Sequence, residues 1–315
     1  MNFDCDEDIL ANTTRAQPDV VLLAGPTASG KSALAVSFAQ ALGGEVVNAD
    51  SMQVYSDLRI LSARPTEGEM AGIPHHLFGH VAAGRQYDTA RWLAEVTDLI
   101  ESRSPNTSLI IVGGTGLYFS ALERGLSQLP EIAEPIRARI RQRFAEVGSA
   151  ALHVELAKLD PVSAARLEPA DGQRIQRALE VFEATGRSMF EQPQPPADAL
   201  PLFGLKVRRV VLEPERHVLH DRIAHRFDHM VQAGALDEVR ALVARQLGPE
   251  QTILKAIGVP EFRAHLDGTL SLEQAITHAK TATRRYAKRQ STWFRNQMDN
   301  GWERIESPGE LNLTQ

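Results

Sequence analysis

The chain has 315 residues and a formal net charge of −6, with ordinary apolar and charged fractions (43% and 23%), so it is no polycation, and a nucleic-acid partner has to meet a local basic patch. One cysteine, Cys5, rules out a disulfide within the chain, and no apolar run reaches transmembrane length. The acidic start lacks the basic and apolar regions of a signal peptide, so a cytoplasmic protein with no membrane contact is expected.

Residues 1–18 and 306–315 read as tails, the first disordered and acidic. The apolar run Val20–Ala24 reads as a strand, followed by Gly25-Pro26-Thr27-Ala28-Ser29-Gly30-Lys31-Ser32 and a helical pattern over 33–39. G-x-x-x-x-G-K-[ST] between a strand and a helix is a P-loop: glycines let the backbone wrap a phosphate, and the helix N-terminus aims N–H groups at it. Lys31 supplies a point charge and the Ser32 hydroxyl is placed to ligate Mg²⁺. Thr27 either bonds a phosphate or caps the turn. The motif specifies two linked phosphates without saying that they belong to a nucleoside triphosphate.

A second strand, 45–50, ends in Asp50. At a sheet's carboxyl edge a carboxylate can be a general base or a Mg²⁺ ligand, although residue type alone favours a turn or cap. His75-His76 reads as loop, and adjacent histidines rarely share one metal, so no metal site is expected there. Residues 87–103 read as a helix. Residues 109–112 read as a buried strand entering Gly113-Gly114-Thr115-Gly116, which is either an anion-facing turn or a tight strand-to-helix connection. Alternating strands and helices predict an α/β fold, a P-loop-type parallel sheet with its ligand loops converging at the carboxyl ends.

Within an inserted block at 128–200, residues 131–192 carry no convincing strand: helices are expected over 136–147, 150–159, 161–166 and 171–185, with Gly186 as a C-cap and a proline-rich loop at 192–196. A strand over 203–212 returns the chain to the sheet, and helices follow to about residue 297. The core is thus discontinuous (19–127 and 201–305) around an inserted helical domain. Arg137, Arg139, Arg141 and Arg143 mark one basic helix, and Arg174 and Arg177 another. The strongest basic stretch, 280–295, holds Lys280, Arg284, Arg285, Lys288, Arg289 and Arg295 without one acid, interleaved with Tyr286, Trp293 and Phe294. Helical spacing pairs Arg284 with Lys288 and Arg285 with Arg289, a stripe suited to a phosphate backbone with aromatics for unpaired bases. A lone basic helix is more often a solvated face with its aromatics in the core.

Together, 25–32, Asn-Ala-Asp-Ser-Met-Gln-Val-Tyr at 48–55, Pro-His-His-Leu at 74–77, Val-Gly-Gly-Thr-Gly-Leu-Tyr at 112–118, Gln-Arg-Ile-Gln-Arg-Ala-Leu-Glu-Val at 173–181 and 283–295 resemble the tRNA dimethylallyltransferase (tRNA isopentenyltransferase) family. The match runs in order over nearly the whole chain after the tail. The resemblance implies transfer of a dimethylallyl group from dimethylallyl diphosphate to N6 of the adenosine just 3′ of the anticodon, in tRNAs reading codons that begin with U. It implies that the P-loop holds the isoprenoid diphosphate instead of ATP, with Mg²⁺ as cofactor. Asp50 then matches the general base, Thr27 and Lys31 groups near the diphosphate, Ser32 the Mg²⁺ position and Arg222 an arginine near the active site. Positions that match tRNA contacts are Asp50, Ser51, Met52, Gln53, Thr115, Arg137, Gln173, Arg174, Ile175, Gln176, Arg177, Lys255 and Gly258. So do Lys288, Arg289, Gln290, Ser291, Thr292, Trp293, Phe294 and Arg295.

Two departures stand out: Ser62-Ala63-Arg64-Pro65 where the family commonly has Thr-Ala-Lys-Pro, and Val259 where it often has tyrosine. A monomer is expected. The rivals are a small-molecule kinase, which leaves the helical insert and the basic stretch without purpose, a prenyltransferase acting on free adenine nucleotides, and an RNA-binding protein with a relic P-loop.

Overall fold

The structure, a computed structural model, describes residues 17–127, 129 and 132–314; the tail through residue 16, with Cys5, lies outside the described residues. The chain begins β1 (Val20–Ala24), α1 (Lys31–Leu42), β2 (Glu45–Asn48), α2 (Glu67–Met70), β3 (His75–His76), α3 (Thr89–Ser102), β4 (Leu109–Gly113) and α4 (Gly116–Arg124). Then come α5 (Glu134–Leu159), α6 (Pro161–Ala164) and α7 (Gly172–Thr185). It ends β5 (Val207–Leu212), α8 (Arg216–Gln232), α9 (Ala235–Ala244), α10 (Val259–Leu266), α11 (Leu272–Gln297) and β6 (Glu303–Ile305). Two compact units result: one closes its first segment at Leu122 and resumes at Pro201, and the other is Glu123–Leu200.

The first unit is built on a six-stranded, all-parallel sheet in the order β3-β2-β4-β1-β5-β6. Parallel strands are buried on both faces, which is why β1 and β4 read as unbroken apolar runs. Along β1, Val20, Leu22 and Ala24 enter the larger core with Trp92, Phe119 and Phe262, while Val21 and Leu23 meet Leu34 and Phe38 of α1 on the opposite face. The chain leaves β1 toward β2 and β3, returns to β4 beside β1, and then crosses to β5. The carboxyl end of β1 is therefore the switch point where α/β sheets open a crevice.

Three expectations need correction. His75-His76, read as loop, is strand β3, paired with Val46 and Val47; His76 Nε2 lies 2.7 Å from the Glu45 carboxylate. Two residues are too few to show an alternating pattern. The strand expected from 203 begins at Val207, because 201–205 form turns that close on the Leu205 N–H to Leu202 carbonyl bond. β6 was not foreseen; its three residues are held by β5 through the Val210–Glu303 to Leu212–Ile305 register.

In the second unit α5 and α7 share a core of Ile140, Leu152, Leu156, Ile175 and Leu179. The two helices read at 136–147 and 150–159 are both present within α5 and meet at Gly148, whose non-helical backbone (φ 76°, ψ 176°) only glycine adopts cheaply. The Asp171 carboxylate caps α7 by accepting from the Arg174 N–H, and Gly186 (φ 68°) ends it.

Candidate active site

The P-loop wraps from β1 into α1 with Gly30 at φ 98° and Ala28 at φ 65°, a left-handed conformation that costs a non-glycine residue about 1–2 kcal/mol. Gly25 has no room for a side chain: a Cβ there would stand 2.7 Å from the Leu212 carbonyl and 2.9 Å from Ser29 Oγ. That buried Ser29 hydroxyl finds no hydrogen-bond partner among the described residues. Lys31 Nζ donates to the Pro26 carbonyl at 3.3 Å. Burial lowers its pKa to about 8; Asp50 opposes that shift and Arg226 adds to it. Exposed Ser32 opens α1, where N–H groups are unpaired.

Asp50 is held by the turn after β2. Fully buried Asn48 accepts from the Asp50 N–H at 2.9 Å and donates to the Asp50 and Leu77 carbonyls at 2.9 and 3.0 Å. Trp92 Nε1 donates to the Asn48 carbonyl, and its ring stacks on Tyr118 at 4.2 Å. The β4 end closes behind Ala49, where a Cβ on Gly113 would strike the Ala49 carbonyl at 2.0 Å. Asp50 Oδ1 accepts from the Met52 N–H at 2.9 Å, so the turn-forming role suggested by residue type is real. It does not use up the carboxylate, whose negative charge reaches Lys31, Arg226 and Tyr286.

α8 lays two arginines along the loop. Arg222, the arginine expected from sequence, donates to the Ser29 carbonyl at 2.8 Å. Arg226, one turn on, donates to the Thr27 hydroxyl and lines one cavity with Asp50. Burial lowers the pKa of its guanidinium, and Asp50 partly restores it. Sequence reasoning missed Arg226, although its spacing of four from Arg222 was the available signal. Arg226, His225 and His229 also line the cleft outside Lys31 and Ser32.

The cavity has about 260 Å³. Thr27, Asp50, Arg226, Tyr286 and Arg289 are among its polar groups, with Ser51, Ser62, Lys255 and Thr283; its apolar walls include Met52, Leu61, Ile223, Phe227, Met230 and Ile257. Burial, followed by the Asp50 charge, raises the Tyr286 pKa, which keeps that phenol protonated. Two positioning residues frame this space. The Glu238 carboxylate accepts from the N–H groups of Arg59, Ile60 and Leu61 at 2.6, 2.8 and 3.0 Å, fixing one wall. Gln290 accepts from the Thr27 N–H at 2.9 Å and donates to the Gly114 carbonyl at 2.8 Å, tying α11 to both ligand loops.

That last contact corrects an expectation. Gln290, Phe294 and Ile175 are buried, with 5%, 0% and 0% exposure, and offer no face to RNA; Gly258 is buried under Leu61. Phe294 joins the core, whereas half-buried Trp293 packs over Gly116 and also lines a surface cleft with Arg285, Lys288 and Arg289. Gln53 is committed to the Ser62 and Ala63 carbonyls, and Thr115 accepts from the Ser51 N–H. Gln173, Arg174, Lys255, Lys288, Arg289, Thr292 and Arg295 are exposed; Arg137, Gln176, Arg177, Ser51, Met52 and Ser291 are half-buried. Val259 sits in the core at the start of α10, and Arg64 covers Gly79 while donating to the Tyr55 carbonyl at 3.0 Å.

A divalent cation fits this loop at Ser32. No group of three or more metal-binding side chains exists among the described residues, so Ser32 would share the ion with phosphate oxygens and water, the usual habit of Mg²⁺. No helix among the described residues is long and apolar enough to cross a membrane.

Comparison with known proteins agrees with this geometry. The sequence profile of the IPP transferases matches residues 53–297. A tRNA dimethylallyltransferase of Rhizobium meliloti (strain 1021) is 52% identical over 300 residues, 93% of this chain and 97% of that protein. Its counterpart in Sinorhizobium medicae (strain WSM419) is likewise 52% identical, covering 93% and 96%. Among solved structures, the tRNA isopentenylpyrophosphate transferase of Bacillus halodurans is 35% identical, with a TM-score of 0.64 over 92% of this chain and 90% of that one. A eukaryotic dimethylallyltransferase acting on tRNA is 31% identical, with a TM-score of 0.71 over 87% and 69%. The chain belongs to the tRNA dimethylallyltransferase family.

Proposed function

We propose that this chain transfers a dimethylallyl group from dimethylallyl diphosphate to N6 of the adenosine immediately 3′ of the anticodon, in tRNAs reading codons that begin with U, and releases diphosphate. The observation that carries this reading is one cavity in which a carboxylate, Asp50, faces the P-loop pair Thr27–Arg226 across apolar walls.

The lone pair of an adenine N6 is delocalised into its ring, so the nitrogen attacks well only as its proton leaves. Asp50 takes that proton as the new N–C bond forms. The allylic C1–O bond breaks and its electron pair departs with the diphosphate. The P-loop N–H groups, Lys31, Arg226 and Arg222 stabilise the departing charge as preorganised donors. Ser32 would hold Mg²⁺, which when bound would add positive charge beside the departing diphosphate. The base must leave its stack to reach Asp50. Exposed Lys288, Arg289 and Arg295 on α11 supply phosphate contacts that position the anticodon stem-loop, and half-buried Arg137 on α5, in the second unit, is a separate candidate for phosphate.

The test is to incubate the protein with dimethylallyl diphosphate, Mg²⁺ and an anticodon stem-loop and weigh the RNA. A gain of one five-carbon unit is expected; ADP formed from ATP, or a preference for AMP over the stem-loop, would overturn the reading. Asp50→Ala should slow product formation by about 10²–10⁴-fold while the stem-loop still binds. Full activity in that variant would remove Asp50 from the chemistry.

A further inference from the structure

Resting on the reading just given, we propose that Met230 is the chain-length gate of this enzyme: it ends the hydrocarbon pocket one isoprene unit from the reacting carbon. In a displacement at C1 the incoming N6 and the leaving oxygen lie on one line through the carbon. The remainder of the allylic group must then turn aside into a lateral pocket, and the cavity offers one apolar direction for it.

The direction follows from the helices. Lys280 Nζ pairs with Asp228 at 2.6 Å, and Arg284 helps to lower the pKa of His220, so α8 and α11 run antiparallel. From α11 the cavity takes Arg289, Tyr286 and Thr283, and nothing nearer that helix's start; from α8 it takes Ile223, Arg226, Phe227 and Met230, and nothing beyond. Of the residues these two helices give to the cavity, Arg289 thus stands toward one end and Met230, with Thr283, toward the other. Arg226, which holds Thr27 of the P-loop, and Met230 are one helical turn apart, about 6 Å of rise. That distance accommodates one isoprene unit and falls short of two.

The opposite wall cannot retreat. Leu61 is wedged over Gly258, where a Cβ would meet its side chain at 2.7 Å, and its backbone N–H is held by Glu238. Phe227 is 4% exposed and packs on Phe262 at 5.9 Å, so it is fixed by the core. Met230, 8% exposed and unbranched, is the wall element whose shortening lengthens the pocket without removing a ring from the core.

The experiment gives the purified enzyme an anticodon stem-loop with dimethylallyl or geranyl diphosphate, and reads kcat/KM for each by the mass added to the RNA. The wild type should accept the five-carbon donor and reject the ten-carbon one. Met230→Ala should raise the geranyl-to-dimethylallyl ratio by about tenfold or more, and Met230→Leu, which conserves volume, should leave it within about twofold. Met230→Val, a smaller cut, serves if the alanine variant does not fold by circular dichroism. Geranyl transfer by the wild type, or a wild-type ratio in a folded alanine or valine variant, overturns the gate. A wild type that adds no five-carbon unit overturns the proposed function itself, which is a separate result.

Discussion

Helices α5 and α11 carry the same residue types and opposite electrostatics. On α5, Arg139 meets Glu183 at 2.5 Å, Arg141 meets Glu134, and Arg143 meets Glu155 at 2.5 Å. On α11, Lys280 pairs with Asp228, but Arg285, Lys288 and Arg295 have no acidic partner among the described residues, and Arg289 lies over the Tyr286 ring. Paired surface cations are already neutralised by protein, whereas unpaired ones release counterions to a phosphate. Whether a cation is reserved for a ligand is therefore decided by its neighbours. The same distinction holds at the P-loop, where Lys31 and Arg226 are crowded together and Asp50 only partly compensates.

Among the cations, the largest effect should come from the one nearest the chemistry, which the Asp50 charge only partly compensates. Arg226→Ala removes a preorganised donor beside Thr27, and kcat should fall by about 10²–10³-fold in steady-state assays. Arg222→Ala should cost less, because Arg222 is exposed and bonded to a backbone carbonyl. If Arg222 proves the more important, the partner-based ranking of cations is broken at its strongest point. Next in size, Lys288→Ala with Arg289→Ala should weaken stem-loop binding by about tenfold and lower the salt slope by about two. Filter binding between low and physiological salt reads both, and an unchanged slope would place the RNA off α11.

The pH dependence sharpens the comparison in a different way. Lys31, with a pKa lowered to about 8, is charged below that pH and loses its charge above it. A bound diphosphate favours the charged form, so its affinity should weaken as pH rises through 8. Lys31→Arg keeps its charge throughout, and the ratio of wild-type to variant affinity for inorganic diphosphate cancels the ligand's own protonation. Calorimetry from pH 7 to about 9.5 should show that ratio falling several-fold. A flat ratio would mean that the crowding at Lys31 is relieved in solution.

Much of this was legible in the chain itself, for identifiable reasons. The P-loop, β1, β4 and Asp50 were readable because local pattern and location agree. The basic stretch on α11 was readable because it lacks any acid, while α5 carries Glu134, Glu146 and Glu155 within its own length. What was not readable depends on distant partners. Gln290 looked like part of an RNA-facing segment, yet it clamps Thr27 at a separation of 263 residues. Arg226 was overshadowed by Arg222 because nothing local says which of two arginines one turn apart meets Thr27. β3 and β6 are too short to carry a period and exist only through the strands beside them.

The smallest effect is expected on α5, and it is the most direct attack on the comparison, because one helix contains both kinds of cation. Arg139 and Arg143 are exposed and paired, whereas Arg137 has no acidic partner and its buried Nε finds no acceptor among the described residues. Arg139→Ala with Arg143→Ala should leave stem-loop affinity within about twofold and the salt slope unchanged, since those charges were not available to phosphate. Arg137→Ala, a single change, should lower the slope by about one. If the double variant loses affinity and the single variant does not, ion pairing in the free protein fails to predict which arginines meet RNA. The α5 pairs would then have to open on binding, exchanging carboxylates for phosphates, and their glutamates would become the residues to substitute next.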